Sequence, residues 1–265
     1  MNFSFVDPWH LFLPREGGHV VGISGSGGKT SLLRAFGRIL EAEGVPTILT
    51  STTRTEALDE FEVWNLEDLG KSSTAALPSL FFLRDGLTSE GKWRGISAED
   101  VDNLGKSFPD RVILVEVDGS AGMPLKLYRP GEPVWPCRTS LAVVAMSQGA
   151  VGEKAGTVVH RFGRQHFEPL GELRADSVWL WEHSLALLTG EGGYLDQIPE
   201  DVPSVLALTC MGDQDDSIGL FEFVGEAMKD ARLPLVVFCE TTSEIQYFRT
   251  SCRLENQDSA GGGKE

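Results

Sequence analysis

Residues 20–31, VVGISGSGGKTS, constrain this chain more than any other segment. An apolar, β-branched run passes into a stretch broken by Gly22, Gly25, Gly27 and Gly28, and then into a helix-forming run that begins near Lys29. From there Leu32, Leu33, Phe36, Ile39 and Leu40 fall on one helical face; Gly44 stops the helix and Pro46 bars its return. A strand, a glycine-rich loop and a helix N-terminus in that order form an anion site. Glycines let backbone N–H groups turn inward around a polyphosphate, and the helix end adds partial positive charge. The loop residues are Gly25, Ser26, Gly27, Gly28, Lys29, Thr30 and Ser31. In such a loop the lysine neutralises the β/γ-phosphates and the following hydroxyl joins the Mg²⁺ shell, the parts assigned to Lys29 and Thr30.

The spacing is G-x-x-G-K-T from Gly25 to Thr30, two residues shorter than the G-x-x-x-x-G-K-[ST] form, and resembles the loop of Mur-type ligases. Gly70-Lys71-Ser72 and Gly105-Lys106-Ser107 share the tripeptide but follow no strand, and Glu67 and Asp102 hold the slots where glycine is needed. Charge is placed to match. The chain carries a formal net charge of −16, which argues against nucleic-acid and anionic-membrane binding. Yet residues 1–54 hold five bases (Arg15, Lys29, Arg34, Arg38, Arg54) against four acids (Asp7, Glu16, Glu41, Glu43). The acid excess lies beyond the loop.

Short apolar runs recur at 19–24, 47–51, 80–83, 112–117, 141–146, 205–209 and 233–238. They are continuous rather than alternating, as strands buried on both faces of a parallel sheet require. Residues 29–43, 97–104, 176–188 and 217–231 read as helices, the second opened by a Ser97/Asp100 capping box. The expected fold is α/β: a P-loop NTPase-like three-layer sandwich with a mainly parallel central sheet. Residues 1–255 read as one domain and 256–265, NQDSAGGGKE, as a disordered tail. The four cysteines form no C-x-x-C pair, residues 1–14 lack the features of a secretory signal, and no apolar run reaches the ~18 residues of a membrane span. A cytoplasmic protein is expected.

A phosphate loop needs a carboxylate at the end of a neighbouring strand. The run 112–120, VILVEVDGS, offers Glu116 and Asp118 on one strand face. Asp118, nearer the carboxyl end, is expected to share Mg²⁺ with Thr30; Glu116 orients the attacking water or supports the metal's surroundings. Thr52, beyond the second strand, is an alternative for holding that water, and Arg54 a candidate for a second substrate. Trp179, Trp181, Leu185 and Leu188 read as core.

These pieces stand within a series of blocks: VVGISGSGGKTSLL (20–33), TSTTR (50–54), GKWRGISAEDVDNL (91–104), LVEVDGSAGMPLK (114–126), GEPVWP (131–136) and VVHR (158–161). In that order they resemble the YqeC-type family, accessory proteins for selenium-dependent molybdenum hydroxylases. The resemblance implies a nucleotide-dependent role in maturing such a hydroxylase or its cofactor. It also directs attention to Lys126, His160 and Arg161 as second-substrate residues, with Glu132 a possible hydrogen-bonding neighbour. The family's E-A-D-G-S-R-G-R-P-L-K is altered here at Val117, Ala121 and Met123, so two basic side chains are missing. Where relatives carry an N-K-x-D-like motif this chain has Thr209-Cys210-Met211-Gly212-Asp213, which favours ATP without excluding GTP. The expected activity is Mg²⁺-dependent nucleoside triphosphate binding with hydrolysis. An ATP-dependent ligase or kinase, and a non-catalytic nucleotide-dependent partner protein, stand as alternatives.

Overall fold

The computed structural model describes residues 12–69, 77–209, 217–241 and 246–252. The strands are β1 (Val20–Ser26), β2 (Thr47–Ser51), β3 (Val63–Asn65), β4 (Leu80–Arg84), β5 (Val112–Glu116), β6 (Leu125–Lys126), β7 (Thr139–Ser147), β8 (Val159–His160), β9 (Ser204–Thr209), β10 (Leu235–Thr241) and β11 (Gln246–Cys252). The helices are α1 (Lys29–Ala42), α2 (Leu66–Leu69), α3 (Ala98–Ser107), α4 (Ala155–Val158), α5 (Trp181–Thr189) and α6 (Ser217–Ala227). The central sheet runs β11-β10-β9-β7-β1-β5-β2-β4-β3, and β6 pairs with β8 in a separate two-stranded sheet. Eight strands of the central sheet are parallel; β11 closes one edge antiparallel to β10.

Each apolar run singled out above is a strand of the parallel part. Their side chains divide between two faces because successive residues point oppositely. Val21, Ile23, Leu114, Val143 and Ala145 pack with Leu32, Leu33, Phe36 and Leu40 of α1. On the other face Ile113 and Val115 meet Val101 and Leu104 of α3. Further along that face Val144, Met146 and Leu206 meet Leu187, Leu188, Phe223 and Val224 of α5 and α6. Helices thus cover both sides of the sheet. Trp179 and Leu188 are core, with Trp181 and Leu185 packed against it.

Three helix bounds differ from the sequence reading by more than one residue. Residues 176–180 are not helical: Ser177 O and Trp179 O accept from Ala155 N and Gly152 N, and Trp179 N donates to Glu153 O. Those backbone groups are spent across a bridge between Lys154 and Val178, so α5 starts only at Trp181. α6 ends at Ala227 rather than 231, because Lys229 and Asp230 tighten to bonds with Glu226 O and Ala227 O. α3 runs on to Ser107, placing Gly105-Lys106-Ser107 inside a helix, where it forms no loop. Gly70-Lys71-Ser72, residues 210–213 and the tail at 256–265 lie outside the described residues.

The chain builds β2, β3, β4 and β5 on one side of β1, then crosses to lay β7, β9 and β10 on the other. The reversal makes β1 the switch point of the sheet, where ligands of open α/β folds bind beyond the strands' carboxyl ends. The glycine loop lies there.

Candidate functional site

β1 ends in Gly25 and Ser26, aligned with Ala145 and Met146 of β7. Gly25, Gly27 and Gly28 have φ of 89°, 74° and 100°. A Cβ at Gly25 would stand 2.1 Å from Ala145 O, and one at Gly27 2.4 Å from Ser147 Cβ. These positions therefore demand glycine for both conformation and space. No side chain caps the N-terminus of α1, which follows directly. Its N-cap is Gly28, which has no side chain to accept from the first backbone N–H groups.

Lys29, at the first turn of α1, is 2% exposed. Its ammonium donates to Gly25 O at 3.0 Å and lies 3.1 Å from Asp118 Oδ1 and 3.6 Å from Glu116 Oε1. Glu116 and Asp118 thus converge from one face of β5 and its extension, as their two-residue spacing requires. Asp118 is fully buried, and Oδ2 accepts from Gly25 N at 3.1 Å. Among the described residues its Oδ1 accepts no well-aligned hydrogen bond and is answered by the charge of Lys29. Thr30 Oγ1 donates to Glu116 Oε2 at 3.0 Å, so the hydroxyl expected beside Asp118 stands on Glu116 instead. Burial drives the Glu116 carboxyl above its ordinary range; Lys29 opposes the shift and Asp118 adds to it.

Thr52 is half-buried, with its N–H donating to Glu116 O at 2.9 Å and its hydroxyl 3.5 Å from the same oxygen. It borders the carboxylate pair from β2's end. Ser26 Oγ ties the loop to Met123 O at 2.6 Å. Ser31 follows Thr30 in α1 and is half-buried.

The second-substrate candidates separate. Arg54 is 67% exposed, and its guanidinium lies 4.0 Å from Glu90. Lys126, His160 and Arg161 come together where β6 pairs with β8, Lys126 opposite His160. Lys126 is fully buried, so it reaches no open surface from this position. Its ammonium donates to Gly119 O at 2.9 Å and lies 3.3 Å from Asp118 Oδ2 and 3.6 Å from Glu132 Oε2. Arg161, in a left-handed conformation at φ 66°, clasps Glu132 with bonds of 2.6 and 3.0 Å; Arg129 forms an ion pair with it, Nε 2.9 Å from Oε1. Burial pushes the Glu132 carboxyl up, but the Arg161 hydrogen bond and three surrounding cations outweigh it and hold the carboxyl below its ordinary range. Burial lowers His160, and neighbouring Arg161 and Lys126 lower it further.

Three further side chains of the site are not among those the sequence singled out as site residues. Tyr128 Oη accepts from Gly25 N at 3.0 Å, and Tyr194 Oη accepts from Lys126 N at 3.0 Å. Thr209 Oγ1 donates to Gly27 O, closing the loop from the far side. Its place at the carboxyl end of β9 is the one signal that pointed to it.

Comparison with known proteins places these residues in a family. The family model described as YqeC protein matches residues 21–163, more than half of the chain and the whole span from the loop to Arg161. The chain is also similar to Uncharacterized protein YqeC of Escherichia coli (strain K12), 28% identical over 228 residues that cover 83% of this chain and 88% of that one. No solved structure matches.

Proposed function

The chain belongs to the YqeC family, and from the geometry of its loop we propose that it binds a Mg²⁺–nucleoside triphosphate, ATP in the first instance, and hydrolyses it. One observation carries the reading: a buried lysine, held among the described residues by a backbone carbonyl and two carboxylates, at the head of an uncapped helix behind glycines that tolerate no Cβ. A buried ammonium in such a place is ready to exchange carboxylates for phosphate oxygens. The loop N–H groups cradle the phosphates and Lys29 neutralises their charge.

Mg²⁺ fits the donors present. Thr30 Oγ1 and Glu116 Oε2 are hard oxygens 3.0 Å apart, and Mg²⁺ takes one or two protein oxygens when phosphates and water supply the rest. Among the described residues no three His, Cys, Asp or Glu side chains gather as a closed metal cage, so the phosphates are part of the site proposed. Thr30 and Glu116 would hold the ion, while Asp118 serves Lys29 rather than the metal. When bound, Mg²⁺ supplies charge neutralisation across the phosphate oxygens. Thr52, whose N–H and hydroxyl border the Glu116 backbone carbonyl, is the residue proposed to hold the attacking water.

The family resemblance extends the proposal to its use: hydrolysis serves maturation of a selenium-dependent molybdenum hydroxylase. Calorimetric titration of ATP and GTP, with and without Mg²⁺, tests the core reading. Wild type binds with Mg²⁺, Thr30→Val loses the Mg²⁺ dependence, and Lys29→Met loses binding, with circular dichroism as the folding control. A wild type silent to both nucleotides ends the reading. Turnover that rises when an apo-hydroxylase is added supports the extension; turnover that rises only with a small carboxylate or hydroxyl substrate favours the ligase or kinase alternative.

A further inference from the structure

Behind the phosphate loop, charges alternate in a line that runs from the interior to the surface: Lys29, Asp118 and Lys126 are buried, Glu132 and Arg161 partly so, and Arg129 is exposed. Lys29, Asp118 and Lys126 are each no more than 2% exposed. Buried ion pairs are poor sources of stability, since apolar side chains of similar volume serve as well or better. A line this long therefore calls for a role beyond packing.

The geometry supplies one. Among the described residues Asp118 Oδ1 accepts no well-aligned hydrogen bond, and the ammonium of Lys29 stands 3.1 Å from it. On the reading proposed above, a nucleotide draws Lys29 to its phosphates, and a fully buried carboxylate then needs another cation. Lys126 is the cation at hand, 3.3 Å from Oδ2, but it is shared with Glu132 at 3.6 Å. Gly119 O, the ring of Tyr128 at 4.4 Å and Tyr194 Oη on its backbone confine it to the interval between the two acids. Glu132 in turn is held off by Arg161 and Arg129.

We propose that Lys126 is a positioning residue that passes to Asp118 as Lys29 moves to phosphate, so that the competing carboxylate Glu132 and its clasp Arg161 set nucleotide affinity. The inference rests on the nucleotide reading and adds a control point to it. By reciprocity, a ligand that engages Glu132 or Arg161 shifts nucleotide affinity by the factor with which nucleotide shifts its own.

The sign of two substitutions is the test, read as the Kd for Mg²⁺–ATP by calorimetry. Glu132→Gln removes the competitor for Lys126 and tightens binding by about fivefold or more, the lower end of ordinary coupling. Arg161→Gln frees Glu132 to hold Lys126 and weakens binding. If this cluster were merely structural, breaking the one ion pair from either end would move affinity in the same direction. In a Lys126→Met background the Glu132→Gln effect disappears, whereas Lys126→Arg retains it. Effects of equal sign, or a Glu132→Gln effect that survives in Lys126→Met, overturn the coupling. Should Lys126→Met not fold, the opposite signs decide alone. A wild type that binds no nucleotide overturns the earlier reading and this inference falls with it; a wild type that binds, with equal-sign variants, overturns only the coupling.

Discussion

Gly25 and Lys29 show what single residues disclose from sequence. The pattern of glycines around a Lys-Thr pair announced a loop whose backbone must turn where side chains are barred, and φ of 89° at Gly25 meets that demand. The carboxylate pair was legible too, because a two-residue spacing on a strand leaves Glu116 and Asp118 on one face. Their division of labour was not: Thr30 chose Glu116, and Asp118 was claimed by two lysines, a choice made by tertiary placement of Lys126. Glu116 also carries a pH signature. Its carboxyl is raised in the fold, mainly by burial, so the native state binds a proton more readily than the unfolded chain. Such a group favours folding at acid pH, and that contribution is lost as pH rises through its native value. Urea unfolding of wild type and Glu116→Gln across a pH series should show the difference shifting toward the variant above the ordinary carboxylate range. A difference that is flat with pH would mean the carboxylate is not held in this way.

Elements were most readable where one local rule governs a whole segment. The parallel strands were continuous apolar runs, and α1 was an apolar stripe between a glycine loop and Gly44. β3, β6 and β8 escaped notice because two or three residues carry no period, and pairing with a neighbour makes them strands. The start of α5 was misread for a similar reason: residues 177 and 179 spend their backbone groups on 152–155, and no local propensity records that. α3 is the opposite case. Ser97 Oγ accepts from Asp100 N at 3.0 Å, and Asp100 Oδ2 accepts from Ser97 N at 3.3 Å, the reciprocal box its sequence announced. This helix covers β5, the strand that leads into the acids, while the two residues of the box bond to each other. Ser97→Ala should cost roughly 1 kcal/mol in denaturant unfolding and leave nucleotide affinity unchanged. A change in affinity would tie the helix end to the site.

At the scale of the molecule, the sheet binds two cores into one body. Val143 and Ala145 of β7 point into the core under α1, while Val144 and Met146 point into the core under α5 and α6. Neither core can lose its wall without exposing the other, because one strand furnishes both. Beside it, β1 and its loop draw contacts from β5, β7 and β9 through Asp118, Ser147 and Thr209. Loop and fold are therefore joined across both halves of the sheet, and no helix among the described residues is long and apolar enough to cross a membrane. A single unfolding transition is expected, with far-ultraviolet circular dichroism and tryptophan fluorescence coinciding. Mg²⁺–nucleotide at 100 times its Kd adds about 2.7 kcal/mol to the native state. In a chain of this length that moves the midpoint upward by roughly 5–10 °C, for both probes alike. Two transitions, of which only one responds to nucleotide, would separate the half that carries the loop from the half beyond β7, and the shared-wall account of this fold would fail.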